Sequence, residues 1–174
     1  AVNTTADDEL TLSELEAALP GDLSGARQQW TQFDRLNRAV SQVAANGAVS
    51  LNTYDAFGNV VQSTRLYQGM DVTNWAGESA SLDSHINSHI GDSANRVSQF
   101  EYNARNELVS SVDAGRAVTT FSYDAFGNQL SKKAWAVRWD SGSYATLADY
   151  LAANDNVNHV DNREVVSVFN DRNE

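Results

Sequence analysis

Apolar and polar residues alternate along six segments in the middle of the chain, where β-branched and aromatic side chains take turns with polar ones. A period of two predicts β-strands with one packed face and one solvated face. The six segments are Ala48–Tyr54, Asn59–Thr64, Val97–Tyr102, Glu107–Val112, Ala117–Tyr123 and Asn128–Ala134. The chain has a single proline, Pro20, so the predicted strands keep all their backbone donors.

A short pattern recurs at the ends of these segments: an aromatic residue, then Asp or Asn, two variable residues, then Gly or Asn. Its first, second and fifth residues are Phe33, Asp34 and Asn37; Tyr54, Asp55 and Gly58; Tyr102, Asn103 and Asn106; Tyr123, Asp124 and Gly127; and Phe169, Asn170 and Asn173. Gly and Asn enter the left-handed backbone region at the lowest cost. Asp and Asn start turns by accepting a hydrogen bond from the backbone two residues on.

The pattern therefore predicts β-hairpin tips, each built on a type I turn followed by a left-handed residue in a G1 bulge. Positive φ is expected at Asn37, Gly58, Asn106 and Gly127. The second and fifth positions define the tips, and we predict a structural role for them.

The spacing of the tips is also regular. The steps between successive tip aromatics are 21, 48, 21 and 46 residues, which gives a repeating unit of 67 to 69 residues. Such a period is typical of repeat architectures whose units do not bury their apolar faces alone. Asn46-Gly47 and Ala114-Gly115 are predicted to form the turns between the two hairpins of each short step.

The long steps contain helical patterns. Three leucines, Leu12, Leu82 and Leu147, each begin an apolar stripe with helical spacing. Thr11, Ser81 and Thr146 precede them, and these residues are predicted at or next to the helix caps. Helices this short are marginal in water, so we expect them to lie on the sheet or on a neighbouring copy.

The predicted fold class is mainly β: an array of antiparallel β-hairpins forming a curved sheet, with short α-helical inserts between hairpin pairs. Residues 1–26 are predicted to be the insert of a first unit, and residues 27–134 the hairpin sheet, with an insert at about 70–95. Residues 135–164 are predicted to be a third insert, and residues 165–174 the start of a further, truncated hairpin. Because the fifth tip has no return strand, we expect a segment of a longer array with an unpaired edge.

Composition narrows the function classes. With 12 basic and 23 acidic residues the formal net charge is −11, which argues against nucleic acid or an anionic membrane as partner. The chain has no cysteine, so disulfides and thiolate chemistry are excluded. It also lacks an apolar run of about 18 residues, so no membrane-spanning segment is predicted.

A few residues allow a chemical interpretation beside a structural one. His85 and His89 are four residues apart and would share one face of a helix, as two metal ligands or as a half-exposed surface. Gly77 to Ser81 partly resembles a nucleophile elbow but lacks its final glycine and the apolar strand before it, so a helix cap at Ser81 is the better explanation. Two acidic stretches, Asp7 to Glu9 and Asp155 to Asp161, fit calcium ligands or solvated loops, and neither has EF-hand spacing. The tip tyrosines could stack on sugars or pack across neighbouring hairpins.

Tyr123-Asp124-Ala125-Phe126-Gly127-Asn128 and its counterpart at Tyr54 resemble the YD repeat of the Rhs family. That family includes shell components of bacterial insecticidal toxin complexes and the extracellular domains of teneurins. The resemblance covers about residues 27–134 and the last ten residues. Asn37, Asn106 and Asn173 depart from it by replacing the glycine, and helical inserts are not part of the plain repeat. The Asp-Pro-rich self-cleavage segment of many Rhs shells is absent, since Pro20 follows Leu19.

The resemblance implies a non-enzymatic structural segment of a large bacterial protein, secreted or on the cell surface. Its sheet would form part of a shell or scaffold that encloses or presents a toxin or other cargo, with neighbouring repeats of the same protein as partners. The alternative is an adhesin module that binds carbohydrate or a partner protein. We expect no catalytic residue, no cofactor and no metal site.

Overall fold

The computed structural model describes residues 28–73, 75–140, 143, 146–154 and 161–168. Within them, nine antiparallel strands form one open, curved sheet, accompanied by two helices, so the predicted mainly β fold class is confirmed. The strands are β1 (Trp30–Phe33), β2 (Ala39–Val43), β3 (Val49–Tyr54), β4 (Val60–Arg65), β5 (Arg96–Tyr102), β6 (Leu108–Val112), β7 (Val118–Tyr123), β8 (Gln129–Ala134) and β9 (Arg163–Val166). The helices are α1 (Ser79–His89) and α2 (Leu147–Asn154).

The strands follow one another across the sheet in sequence order, from β1 to β9 without a crossover. In such a meander, alternate connections lie at the same end of the sheet. The four tips joining β1 to β2, β3 to β4, β5 to β6 and β7 to β8 therefore form a row at one end. In each tip hairpin the register shifts at the residue pair that leads into the turn, as a bulge requires.

The turns at the opposite end repeat the tip geometry with different residues. In the first, the Gly47 amide donates to the Ala44 carbonyl at 2.8 Å, and Gly47 has φ of 78°. In the second, the Arg116 amide donates to the Asp113 carbonyl at 2.8 Å, and Arg116 has φ of 64°. The predicted turn at Ala114-Gly115 is present, but the left-handed residue is Arg116 and not the glycine.

The helices lie in the two long connections, and their caps differ. Thr146 caps α2 as predicted: the Asp149 amide donates to Thr146 Oγ1 at 3.1 Å, and Asp149 Oδ2 accepts from the Thr146 amide at 3.0 Å. The predicted helix around Leu82 is present as α1, but its predicted cap is wrong, because the helix begins at Ser79 and its N-cap residue is Glu78, with no side-chain cap bond. Ser81 is an exposed residue inside the first turn. The predicted first insert, with Thr11 and Leu12, lies outside the described residues.

Both helices pack on the sheet, each over its own pair of hairpins. One core cluster joins Leu82 of α1 to Val43, Val49 and Leu66, with Trp30 and Trp75 beside it at 4.9 Å between ring centroids. A second cluster contains Val112, Val118, Trp135, Leu147 and Tyr150. Each cluster contains residues from one hairpin pair and the insert that follows it. Each unit therefore buries apolar surface within itself, whereas the repeat period predicted burial only between units. Both clusters lie on the same face of the sheet, which we call the insert face; we call the opposite side the open face.

An asparagine ends each insert and fixes the return of the chain to the sheet. Asn95 Oδ1 accepts from the Tyr67 amide at 2.8 Å, and Asn162 Oδ1 accepts from the Ala136 amide at 2.8 Å. Asn95 Nδ2 also donates to the His89 carbonyl at 2.8 Å, which satisfies an acceptor at the end of α1. The base of each insert is therefore held by the same contact in both units.

Candidate functional site in the row of hairpin tips

The four described tips share one backbone conformation. The fifth residue of each is left-handed: φ is 60° at Asn37, 92° at Gly58, 62° at Asn106 and 89° at Gly127. The amide of that residue donates to the carbonyl of the second residue at 3.0 to 3.3 Å. The positive φ angles expected from the sequence are thus present. The fifth tip, with Phe169, Asn170 and Asn173, lies outside the described residues.

The second residue of each tip organises the turn through one side-chain oxygen. Asp124 Oδ1 accepts from the Phe126 amide at 2.8 Å and from the Asn128 amide at 2.9 Å. The equivalent oxygens of Asp34, Asp55 and Asn103 accept from the same two positions at 2.9 to 3.1 Å. The side-chain oxygen of Asp and that of Asn can each accept from both amides, which explains why either residue can occupy this position.

The sixth residue of each tip completes the turn from the other strand. Its side chain bonds the second residue: Arg38 Nε to Asp34 at 2.7 Å, Asn59 Nδ2 to Asp55 at 2.8 Å, and Asn128 Nδ2 to Asp124 at 2.7 Å. In the third tip the polarity is reversed, since Asn103 Nδ2 donates to Glu107 Oε2 at 2.6 Å. The pair therefore keeps one donor and one acceptor while their places exchange.

These hydrogen bonds perturb the tip carboxyl groups. The pKa values of Asp55 and Asp124 lie below the ordinary 3.8, chiefly because the side-chain amides of Asn59 and Asn128 donate to the ionised form. The pKa of Asp34 is also lowered, first by the Arg38 backbone amide and then by the Arg38 side chain. The tips are consequently stabilised in the carboxylate form.

Each tip is also bonded sideways to the next. Arg38 Nη1 of the first tip donates to the Asp55 carbonyl of the second at 3.0 Å, and Asn59 Nδ2 donates to Asn106 Oδ1 of the third at 3.0 Å. Arg105 of the third tip donates to the Asp124 carbonyl at 2.8 Å and to the Ala125 carbonyl at 2.9 Å in the fourth. The four tips thus form a bonded row along one end of the sheet.

Two tip tyrosines also connect neighbouring hairpins along the row. The hydroxyls of Tyr54 and Tyr123 donate to the carbonyls of Ala39 and Leu108 at 2.8 and 2.9 Å, and each of these carbonyls belongs to the preceding hairpin. Burial raises the pKa of Tyr123, with a smaller contribution from the Glu107 charge. The tyrosines bridge neighbouring hairpins, in agreement with the structural interpretation of these residues.

The variable positions of the tips are exposed. Phe57 and Phe126 occupy the fourth position and expose 75% and 83% of their surface, and Leu36 exposes 71%. These side chains contribute no burial to the turn, so the tip needs neither their size nor their apolarity. The turn geometry that the four tips share comes from positions two, five and six, whereas Arg105 at position four of the third tip serves the contact with the next tip.

Within the part of the chain that the structure describes, the residues with a chemical interpretation are not brought together as a catalytic or metal centre. The rings of His85 and His89 contact each other on α1, with centroids 4.6 Å apart and planes tilted by 48°, and His85 Nε2 lies 3.1 Å from the Gln68 carbonyl. Among the described residues no three His, Asp or Glu side chains form a metal-binding group. Ser79 and Ser81 are exposed at the start of α1. The acidic stretches at residues 7–9 and 155–160 lie outside the described residues.

Sequence reasoning missed three kinds of residue that hold this arrangement. The sixth tip position was not singled out, although Arg38, Asn59, Glu107 and Asn128 are all polar there. The asparagines at the base of the inserts, Asn95 and Asn162, were missed too. Each is followed by an arginine, and the recurrence of this Asn-Arg dipeptide after one repeat unit was a visible signal. Arg116 carried no signal, because a non-glycine residue at positive φ is uncommon.

This fold and its bonded tips define a β-hairpin repeat protein. Residues 92–134 match the model of the RHS Repeat family, which confirms the predicted resemblance over this segment. No curated protein matches the chain. The crystal structure of TcdB2-TccC3-TEV contains a chain that is 12% identical, with a TM-score of 0.34; the match covers 62% of this chain and 8% of that one. In the described residues neither helix is long and apolar enough to cross a membrane.

Proposed function

We propose that this chain is a non-enzymatic structural segment of a large bacterial Rhs/YD-repeat protein, secreted or on the cell surface. Its sheet serves as part of a wall that encloses or presents a toxin or other cargo. The observation that carries the proposal is the bonded row of tips on an uninterrupted nine-stranded meander. Every described hairpin is joined to the next by backbone pairing between their adjacent strands and by side-chain hydrogen bonds between their tips.

A wall has to resist splaying of its strands, and the tip row supplies that resistance where backbone pairing ends. Arg105 contributes most, since its guanidinium donates to two carbonyls of the fourth tip and pairs with Glu107 at 3.0 Å. Arginine suits this task because its planar group holds several acceptors in fixed directions. Neighbouring repeats of the same protein are therefore the primary partners of this segment.

The proposal is tested on the complete protein that carries this segment. A folded cargo inside the wall should survive a protease dose that degrades the same cargo expressed alone. Arg105→Ala should increase cleavage of the cargo. Arg35→Ala is the matched control, because Arg35 is an exposed tip arginine that forms no hydrogen bond or ion pair within the described part of the chain.

Equal cleavage of the cargo with and without the wall would contradict enclosure. Turnover of a substrate that depended on His85 or Ser79 would contradict a non-enzymatic role. Binding of glycans that required Tyr54 or Tyr123, with no protection of cargo, would favour the adhesin function instead.

A further inference from the structure

The charges carried by the strands are unequally divided between the two faces of the sheet. The nine strands contain two carboxylates, Glu101 and Glu164. Glu101 accepts from the buried Ser110 hydroxyl at 2.6 Å, and Glu164 pairs across the sheet with Lys133. Both lie on the insert face, because successive side chains of a strand alternate between faces.

The open face carries cations and no strand carboxylate. Arg65 follows the buried Thr64, and Arg96 precedes Val97, so both arginines project away from the inserts. Arg163 lies opposite Ala134, and Lys132 lies opposite Phe121, on this same face. The chain as a whole has a net charge of −11. The strand residues of the open face have the opposite sign, since they include four exposed cations and no carboxylate.

Two of these cations form a destabilising pair. Arg65 and Arg96 are direct cross-strand partners in the β4–β5 register. Like charges in this position oppose each other, and within the described residues neither guanidinium has an ion pair with a carboxylate. Folding alone gives no reason for this arrangement, whereas an anionic partner placed between the two arginines would neutralise both.

A concavity lies beside this pair. It has a volume of about 310 Å³ and is lined by Gln29, Gln42, Asn46, Ser50 and Arg65, together with two alanines. Its polar groups are amides, a hydroxyl and one guanidinium, which all donate hydrogen bonds to a carboxylate. None of its lining side chains is acidic.

We propose that the open face of the sheet binds an acidic protein segment, with a carboxylate seated at Arg65 and Arg96 and further carboxylates reaching Lys132 and Arg163. Protein is favoured over nucleic acid because the cations are widely spaced. Arg96 and Arg163 are four strands apart, or roughly 19 Å at the spacing of a sheet, whereas duplex DNA has a charge about every 1.7 Å. Half-buried Phe100 and Phe121 on the same face offer apolar contacts to protein side chains.

This proposal concerns binding by the chain itself and does not depend on enclosure of a cargo. The test is fluorescence anisotropy with a labelled 12-residue peptide of alternating Glu and Ser, titrated with the 174-residue chain at low ionic strength. We expect binding that weakens as salt is raised. The peptide with Gln in place of Glu should not bind, and Arg65→Gln or Arg96→Gln should each weaken binding by about fivefold.

Arg35→Gln is the matched control: it removes the same charge from an exposed tip and should leave the affinity unchanged. Arg65→Gln should not lower the thermal midpoint, since it relieves a like-charge pair, so loss of binding is separable from unfolding. Equal binding of the Glu and Gln peptides, or an equal effect of Arg35→Gln, would overturn the proposal. Tighter binding of a 12-nucleotide oligodeoxythymidine than of the acidic peptide would also overturn it, as would self-association through Arg65 without peptide binding.

Discussion

Replacing Gly58 by alanine tests the hairpin-tip geometry with few side effects. Gly58 has φ of 92°, and a Cβ added there would meet no atom within 4 Å. The substitution therefore adds the conformational cost without a steric clash. A residue with a Cβ pays about 1–2 kcal/mol in the left-handed region, while alanine recovers about 0.4–1 kcal/mol by restricting the unfolded chain. The expected net loss of stability is about 1 kcal/mol.

Gly91→Ala is the matched control. Gly91 also has open space around its Cβ position, and its φ is not in the left-handed region. Only the unfolded-state term then applies, so this variant should gain about 0.4–1 kcal/mol. The two alanine substitutions are thus expected to change stability in opposite directions.

The assay is urea or thermal unfolding followed by circular dichroism, with the midpoints of both variants compared with the parent chain. For a chain of this size, 1 kcal/mol corresponds to about 2–4 °C in Tm. Gly58→Val should lower the midpoint further than Gly58→Ala. A Gly58→Ala variant that is as stable as Gly91→Ala would refute the left-handed tip.

Three further predictions follow from other contacts. Thr146→Ala should cost about 1 kcal/mol in unfolding free energy because it removes the capping box of α2, whereas Ser81→Ala should be nearly neutral; equal losses would contradict the assigned caps. Arg116→Gly should stabilise the chain by about 0.5–1 kcal/mol, because glycine adopts the left-handed conformation without the steric cost that a Cβ adds. The substitution also removes the exposed ion pair between Arg116 and Asp140, whose atoms are 3.7 Å apart. A lower unfolding midpoint would contradict this prediction. The pKa values of the Asp55 and Asp124 carboxyls are lower in the folded chain than the ordinary 3.8. The stability that their ionised forms contribute should therefore be complete above pH 3.8, and it should be lost as the pH falls through the pKa values of the folded chain. NMR titration of these carboxyls checks the direction, and values above 3.8 would refute it.

The strands and tips were predictable because their signals are local. Alternation located β3 to β8 to within one residue at most ends, and the Asp or Asn at position two with Gly or Asn at position five specified the turn. Both signals depend on neighbouring residues in one hairpin, where sequence and geometry are directly coupled.

The inserts and the face charges were less accessible because they depend on contacts between distant segments. Leu82 indicated α1 and packs against Val43 and Val49, but the helix begins three residues earlier, at Ser79, and has no side-chain cap at Ser81. The opposition of Arg65 and Arg96 depends on the β4–β5 register across a 30-residue connection. The left-handed Arg116 is imposed by the turn that its neighbours form, since arginine has no preference for that region.

Electron cryomicroscopy of the complete protein that carries this segment tests the central claim most directly. If the segment is part of a wall, β1 and β9 should each pair with a further strand of the same protein, and the sheet should curve around an enclosed interior. The tip contacts of Arg38, Asn59 and Arg105 should continue into the neighbouring hairpins. A map in which residues 28–168 form a separate domain, with both edge strands in solvent and no interior, would contradict the account.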